Sequence, residues 1–376
     1  MKIVIFSSVF NHHSLPLCDA LNAIENVQCI FVETMEEEQQ RRDLGYHAYD
    51  RNYVLNMLKS EENRAKAYEL ALSADVMIAS VFPYEFLKER LKRNKLTFLC
   101  QERMFKGKVT LQRKLRAWAY NMRKIHCFRK KPLYFLSIGD MAAEDYRSIG
   151  FYKGKSFRWA YYPPFLPYDL GELAKKKESE SIQLLFVGRL IPWKHPEFIL
   201  AATKTLLQKG YPVRLTYIGN GPMEGQLREA AAPMRDSIRF SGSMSPEEVR
   251  EHMEESQIVA FTSDAMEGWG AVVNEAMNAG CAIVASDAPG AVKTMMKDGK
   301  NGFVYKADDY EQFYEKLERL VNDRALVRTL GAEAYKTVSE HYNAQEAAKR
   351  FYRHCDSILN GKQIPMYIDG PMKKLP

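Results

Sequence analysis

The chain has 376 residues, enough at about 150 residues per domain for two domains that each bury a core of their own. Hydrophobic residues make up 46%, charged residues 27% and aromatic residues 12%, which excludes a mainly disordered chain. The net charge of +7 hides an asymmetry: residues 88–131 carry 16 Lys/Arg against Glu89 and Glu102, while the rest holds 38 basic and 45 acidic residues. A stretch so basic predicts an anionic partner surface, whether membrane, polyanionic saccharide or nucleic acid.

The N-terminal run Met1–Phe6 turns polar within two residues and is too short for a secretory signal, so a cytoplasmic protein is expected. Strand-length apolar runs then alternate with segments of helical period. Ile3–Phe6, Val27–Val32, Val76–Ala79, Thr97–Leu99 and Tyr134–Ser137 are the strand candidates of the first half. Leu184–Val187, Leu215–Ile218, Ile238–Phe240, Ile258–Phe261 and Ala282–Ala285 are those of the second. Most are continuous rather than alternating, as parallel strands covered on both faces require. The class is α/β, with open, doubly wound sheets.

The charged stretch Gly171–Ser181 follows Pro163, Pro164 and Pro167 and precedes a fresh strand, so it marks a boundary. We expect a Rossmann-like domain over 1–170, a linker over 171–181, a second Rossmann-like domain over 182–345, and a helix and tail over 346–376 that return to the first. The tail after Asn360 reads as irregular. Two such domains facing a central cleft present the loops at their strands' carboxyl ends to one ligand. Ser245–Glu248 reads as a capping box, and Gly280 ends the helix that carries Glu275. The six scattered cysteines, without a C-x-x-C pair, read as reduced thiols.

Four loops carry the chemistry. In the first, Glu267-Gly268-Trp269-Gly270-Ala271 leads into a helix bearing Glu275. The start of that helix offers unpaired N–H groups and a positive dipole end to a diphosphate, and the two carboxylates can accept hydrogen bonds from sugar and ribose hydroxyls. Solvated acids near a helix start are the plainer reading of the same residues. In the second, Gly188 lets a backbone approach a ligand, and Arg189 and Lys194 can clamp phosphate oxygens. Gly219-Asn220-Gly221-Pro222 and Ser286-Asp287-Ala288-Pro289-Gly290 follow two further strands. No Asp-x-Asp motif occurs and His126-Cys127 lack partners at ligand spacing, so neither a metal nor a cofactor is expected.

Gly188-Arg189-Leu190 with Lys194, Gly219-Asn220-Gly221-Pro222, Glu267-x7-Glu275 and Gly299-Lys300-Asn301-Gly302-Phe303 together resemble the nucleotide-sugar-binding half of glycosyltransferase family 4, over residues about 182 to 345. The resemblance implies the GT-B fold and a retaining, metal-independent transfer from a nucleotide-sugar donor to a saccharide or lipid-linked acceptor, in cell-surface polysaccharide or glycolipid synthesis. It also implies roles: Arg189 and Lys194 on the diphosphate, Glu267 on the donor sugar, Glu275 on the ribose, and the backbone of Gly268–Ala271 on sugar and phosphate.

The first half fits less closely. Its first loop, Ser7–Ser14, has no glycine where the family usually has one. Asn11, His12 and His13 are the acceptor-side candidates, with helix capping or packing as the alternative for the histidines. Glu102 stands where many relatives place a cleft histidine, and a salt bridge with Arg103 or Lys106 accounts for it equally well. Leu111, Leu115, Trp118, Met122 and Ile125 form an apolar stripe at helical spacing, flanked by Arg113, Lys114, Arg116, Arg123 and Lys124. That pattern suits a peripheral, interfacial helix on an anionic membrane, against a core-packed helix with a basic face. A GT-B nucleotide-sugar epimerase is the rival enzyme; a nucleic-acid-binding protein ranks last, and no nucleic acid is expected.

Overall fold

A computed structural model describes residues 1–36, 49 and 51–376. Its strands, in chain order, are β1 (Lys2–Ser7), β2 (Gln28–Glu33), β3 (Val54–Asn56), β4 (Val76–Ala79), β5 (Leu96–Gln101), β6 (Leu133–Ile138) and β7 (Ser156–Trp159). They continue with β8 (Ile182–Val187), β9 (Val213–Ile218), β10 (Ile238–Phe240), β11 (Ile258–Phe261), β12 (Ala282–Ser286), β13 (Phe303–Tyr305) and β14 (Lys374–Leu375). The continuous apolar runs become strands because helices cover both faces: Ile3, Val4 and Phe6 of β1 and Leu184 and Leu185 of β8 have essentially no exposed surface.

The chain divides into two compact units. One comprises the described residues up to Pro164 together with His341–Pro376, and the other is Phe165–Glu340. The first holds a sheet of order β14-β7-β6-β5-β4-β1-β2-β3, parallel except for the antiparallel pair β14–β7. The second holds a wholly parallel sheet of order β10-β9-β8-β11-β12-β13. Each sheet reverses its strand order once, between β1 and β4 and between β8 and β11. Open α/β sheets bind ligands at that reversal, outside the strands' carboxyl ends.

All ten expected strands are present. Four more are short or sit at sheet edges: β3, β7, β13 and β14. β14 corrects the expectation of an irregular tail, since Lys374 and Leu375 pair with Phe157 and Ser156. The stretch expected as a linker contains the helix Leu170–Lys176, capped by Asp169, whose carboxylate accepts from the Gly171 and Glu172 amides. Ser245 and Glu248 form the reciprocal capping box, and all six cysteines are free thiols, five of them buried. Among the described residues, no helix is long and apolar enough to cross a membrane.

Candidate functional site

In the unit Phe165–Glu340, the loops after β8 and β9 interlock. The Gly188 amide donates to Ile218 O at 2.9 Å, and the Leu190 amide to Asn220 O at 2.8 Å. A Cβ on Gly219, whose φ is +121°, would lie 2.2 Å from Gly188 O, and one on Gly221 would lie 2.4 Å from Leu190 O. Gly219, Asn220 and Gly221 thus fix the shape of the Gly188 loop by close backbone packing.

That loop ends in a single 3-10 turn, Pro192–Lys194. Lys194 Nζ donates to Glu267 Oε2 at 2.7 Å, joining the loops after β8 and β11 across the reversal of strand order. Ser263 Oγ lies 3.4 Å from the same carboxylate oxygen. Both partners are largely buried, with side chains 13% and 16% exposed, so the pair is less screened than a surface ion pair. Arg189 remains exposed. Its guanidinium and the Lys194 ammonium lie 6.0 and 5.1 Å from the Trp193 ring centroid, so one indole carries both cations.

The helix Ala271–Asn278 starts at Gly270, a left-handed residue with φ +91°. A side chain there would run into the Phe261 ring, with the added Cβ 2.5 Å from Cζ. The Gly268 and Trp269 carbonyls accept from the Gly290 and Ala291 amides. Trp269, expected at the donor, is only 1% exposed, and its Nε1 donates to Asn274 Oδ1 at 2.9 Å. Its side chain is therefore a core element that braces the turn, and only its backbone is left for a ligand. Glu275 lies one turn into the helix. Burial pushes its carboxyl up to about 7, while Arg250 pulls the other way. In the Gly299–Phe303 motif, Asn301 is structural, donating to Met295 O and Thr337 Oγ1 at 2.9 Å each.

In the first unit a cavity of about 330 Å³ opens at the carboxyl ends of the strands around the β1/β4 reversal. Ser7, Ser8, His13, Ser80, Glu102 and Tyr161 are among its lining residues. Asn11 is a capping residue: its Oδ1 accepts from the His13 and Ser14 amides at 3.0 and 3.2 Å, setting up the helix Leu15–Asn22. His12 is buried, its ring centroid 3.7 Å from that of His13. His13 in turn stacks on Tyr161 at 6.0 Å. Glu102 takes the Tyr161 hydroxyl at 2.8 Å on one oxygen and Lys106 Nζ at 2.7 Å on the other. Of the two ion-pair partners considered for Glu102, the observed one is Lys106, because Arg103 turns to Asp145. Tyr161 escaped the sequence reading; only its place just after β7, a strand that was itself missed, would have marked it.

The basic stretch 88–131 is not one surface. Arg90 is fully buried and donates to the Ala71, Ala74, Asp75 and Leu96 carbonyls and to Thr97 Oγ1. The helix Leu111–Lys124 does expose its apolar stripe. Leu111, Leu115 and Trp118 are 74%, 56% and 47% exposed, while Ala117 and Met122 pack on the core and Ile125 is buried.

Two Rossmann-like sheets, each reversing its strand order once, define a GT-B fold. Residues 172–337 match the family model of glycosyl transferases group 1. The chain is similar to the capsular polysaccharide biosynthesis glycosyltransferase CapM of Staphylococcus aureus, 25% identical over 189 residues, covering 47% of this chain and 46% of that protein. It is also similar to the phosphatidyl-myo-inositol mannosyltransferase of Mycolicibacterium smegmatis, 29% identical over 192 residues, 51% of this chain and 49% of that one. The chain spans about half the length of the curated relatives it matches. Its fold is similar to that of Anabaena HepE in complex with UDP, with a TM-score of 0.70 and 15% identity over 95% of this chain and 100% of that one.

Proposed function

We propose that this chain is a retaining, metal-independent glycosyltransferase. It takes a sugar from a nucleotide-sugar donor held by the unit Phe165–Glu340 and passes it to a saccharide or lipid-linked acceptor held by the other unit. The observation that carries this reading is the Lys194–Glu267 pair at the β8/β11 reversal, next to the start of the Ala271–Asn278 helix. Loss of the nucleotide leaves negative charge on the diphosphate and positive charge at the anomeric carbon. Lys194, Arg189 and the N–H groups of the helix start stabilise the first without a metal. Glu267 contacts the donor sugar and Glu275 the ribose hydroxyls. The acceptor hydroxyl then attacks from the face the nucleotide leaves, which retains configuration.

The first unit's cavity supports the acceptor half of the proposal. Serine hydroxyls, a carboxylate and a tyrosine ring surround a space large enough for a sugar ring. This is also what disfavours an epimerase, which needs no second substrate pocket. The anchored cations Arg90 and Arg103 weaken the nucleic-acid reading, since neither is available to a phosphate backbone. The exposed face of Leu111–Lys124 supports peripheral docking on an anionic membrane from the cytoplasmic side, with Trp118 in the acyl boundary.

The deciding experiment presents a panel of nucleotide sugars to the purified protein and follows release of the nucleotide diphosphate with and without acceptor saccharides. One donor should be hydrolysed slowly and turned over faster with acceptor, giving a product of unchanged anomeric configuration by NMR. If no nucleotide sugar binds, the transferase reading fails.

A further inference from the structure

Within the unit Phe165–Glu340, an amine is held against a buried thiol. Lys177 caps the helix Leu170–Lys176 at its C-terminus, and Cys281 lies just before β12. Lys177 Nζ is 3.5 Å from Cys281 Sγ, although the two residues are 104 positions apart. The same two carbonyls gather both groups. Lys177 Nζ donates to Met253 O and Ser256 O at 2.6 Å each, and Cys281 Sγ lies 3.1 and 3.5 Å from the same oxygens. We propose that Lys177 and Cys281 are a peroxide-sensitive modification site that closes to a covalent nitrogen–sulfur crosslink. The site lies outside the proposed diphosphate contacts and does not depend on the transferase reading.

A lysine on the last carbonyls of a helix, here Pro246–Glu255, is an ordinary C-terminal cation. The thiol beside it changes what it can do. Among the described residues, the other hydrogen-bond contacts of Cys281 Sγ are carbonyl oxygens, those of Met253, Ser256 and Ala279. The amine is therefore the nucleophile at hand. Reacting atoms held about 3–3.5 Å apart are close enough for intramolecular attack to outrun reaction with a group from solution.

One hydrogen peroxide balances the reaction. The Cys281 sulfur attacks the peroxide O–O bond, giving a sulfenic acid and one water. The neutral Lys177 nitrogen then attacks that sulfur. The S–O bond breaks, and the hydroxyl leaves with a proton from nitrogen as a second water. Sulfur is oxidised, peroxide is reduced, and the product is a single S–N bond that a thiol reductant reopens. Burial lowers the Lys177 pKa, which favours the neutral amine, while Cys281 pulls the other way. Burial also keeps the Cys281 thiol protonated against the pull of Lys177, so closure is slow. A cavity of about 120 Å³ lined by Lys177, Gln257 and Gly280, the neighbour of Cys281, is the route for a molecule as small as peroxide.

The bond staples the end of the helix Leu170–Lys176 to the start of β12 inside one unit. It closes a loop of about 100 residues, a constraint that acts chiefly on the unfolded chain.

The test treats full-length protein with a few equivalents of hydrogen peroxide, digests it without reductant and maps the peptides by mass spectrometry. The peptides holding Lys177 and Cys281 should appear joined, lighter by two hydrogens than their sum, and should separate in dithiothreitol. The melting temperature should rise on oxidation and return on reduction. Cys281→Ser and Lys177→Arg should each abolish the joined peptide. Arginine keeps its proton and cannot attack, so Lys177→Arg should leave a sulfenic acid that dimedone traps. The joined peptide is read on the unaltered chain, so the test stands even if neither variant folds. Its absence once the exposed Cys127 is fully oxidised would overturn the proposal. A disulfide from Cys281 to another cysteine, or a sulfinic acid there with Lys177 unmodified, would overturn it too.

Discussion

Lys194 and Glu267 are 73 positions apart in the chain, yet the ammonium of one lies 2.7 Å from the carboxylate of the other. Any phosphate that Lys194 binds must compete with this partner. Glu267→Ala should therefore leave free nucleotide diphosphate binding at least as tight as in wild type while lowering kcat, because the sugar contact is lost and the lysine is released. Lys194→Ala should cost about 2–4 kcal/mol of transition-state stabilisation, and Arg189→Ala a similar amount. Turnover should persist in excess chelator. Steady-state kinetics beside calorimetry of the free nucleotide separate these outcomes; unchanged kcat in Glu267→Ala refutes the sugar contact.

The proposed ribose contact of Glu275 should link nucleotide binding to pH. With its carboxyl pushed up to about 7, it is mainly neutral below that pH and ionised above it. In the proposed ribose contact the ionised form is the better hydrogen-bond acceptor, so nucleotide affinity should rise from pH 6 to pH 8 and binding near pH 7 should release a proton. Calorimetry in two buffers of different ionisation enthalpy measures that proton. Glu275→Gln should bind more weakly and lose the pH dependence.

The helix Leu111–Lys124 should bring the protein down with vesicles containing anionic lipid, and far less with neutral ones. Each Lys or Arg near such a surface contributes about 1 kcal/mol, and the attraction decays within a Debye length, so added salt should release it. Trp118→Ala should weaken sedimentation even at low salt. Replacing Arg113, Lys114 and Arg116 with Gln should weaken it mainly there. Equal sedimentation with both vesicle types would reject the membrane role.

His354 is fully buried, with no hydrogen-bond partner on either ring nitrogen, and its ring lies 4.3 Å from that of Phe157. Burial lowers its pKa to about 4. Between about pH 6.5 and 4 the unfolded chain binds the proton that the folded chain refuses, so stability falls as pH drops through that window. The loss attributable to this residue reaches about 3 kcal/mol at the acid end. Urea denaturation at pH 7 and pH 4.5 should show a shallower decline in His354→Phe than in wild type.

Much of this was legible in the chain because strands buried on both faces announce themselves as unbroken apolar runs, as Val76–Ala79 and Ile258–Phe261 do. Short strands away from the sheet centre carry no such signal. Ser156–Trp159 has an arginine in its middle, and Arg158 is accommodated through Asp140, Tyr342 and Asp369, the last 211 positions away. The loops after β8, β9 and β11 were readable because glycines follow those strands directly. The inward turn of the Trp269 side chain had no local signal, because the Asn274 that holds it sits on the following helix. The Asn11 cap had a local cue, an Asn three residues before Ser14 at a helix start. The burial of Arg90 had none, since its carbonyl partners come from segments 6 to 19 residues away.

The last 36 residues belong to the unit that begins the chain, through the helix Ala344–Leu359 and β14. During synthesis, the stretch Phe165–Glu340 therefore has all its described partners in hand while its predecessor still lacks a helix and an edge strand. The earlier unit must wait for residues 341–376, which are made after the later one. A nonsense codon or a protease cut near residue 340 should spare the unit Phe165–Glu340 and unfold the one before it, so damage downstream of one unit appears as instability upstream of it.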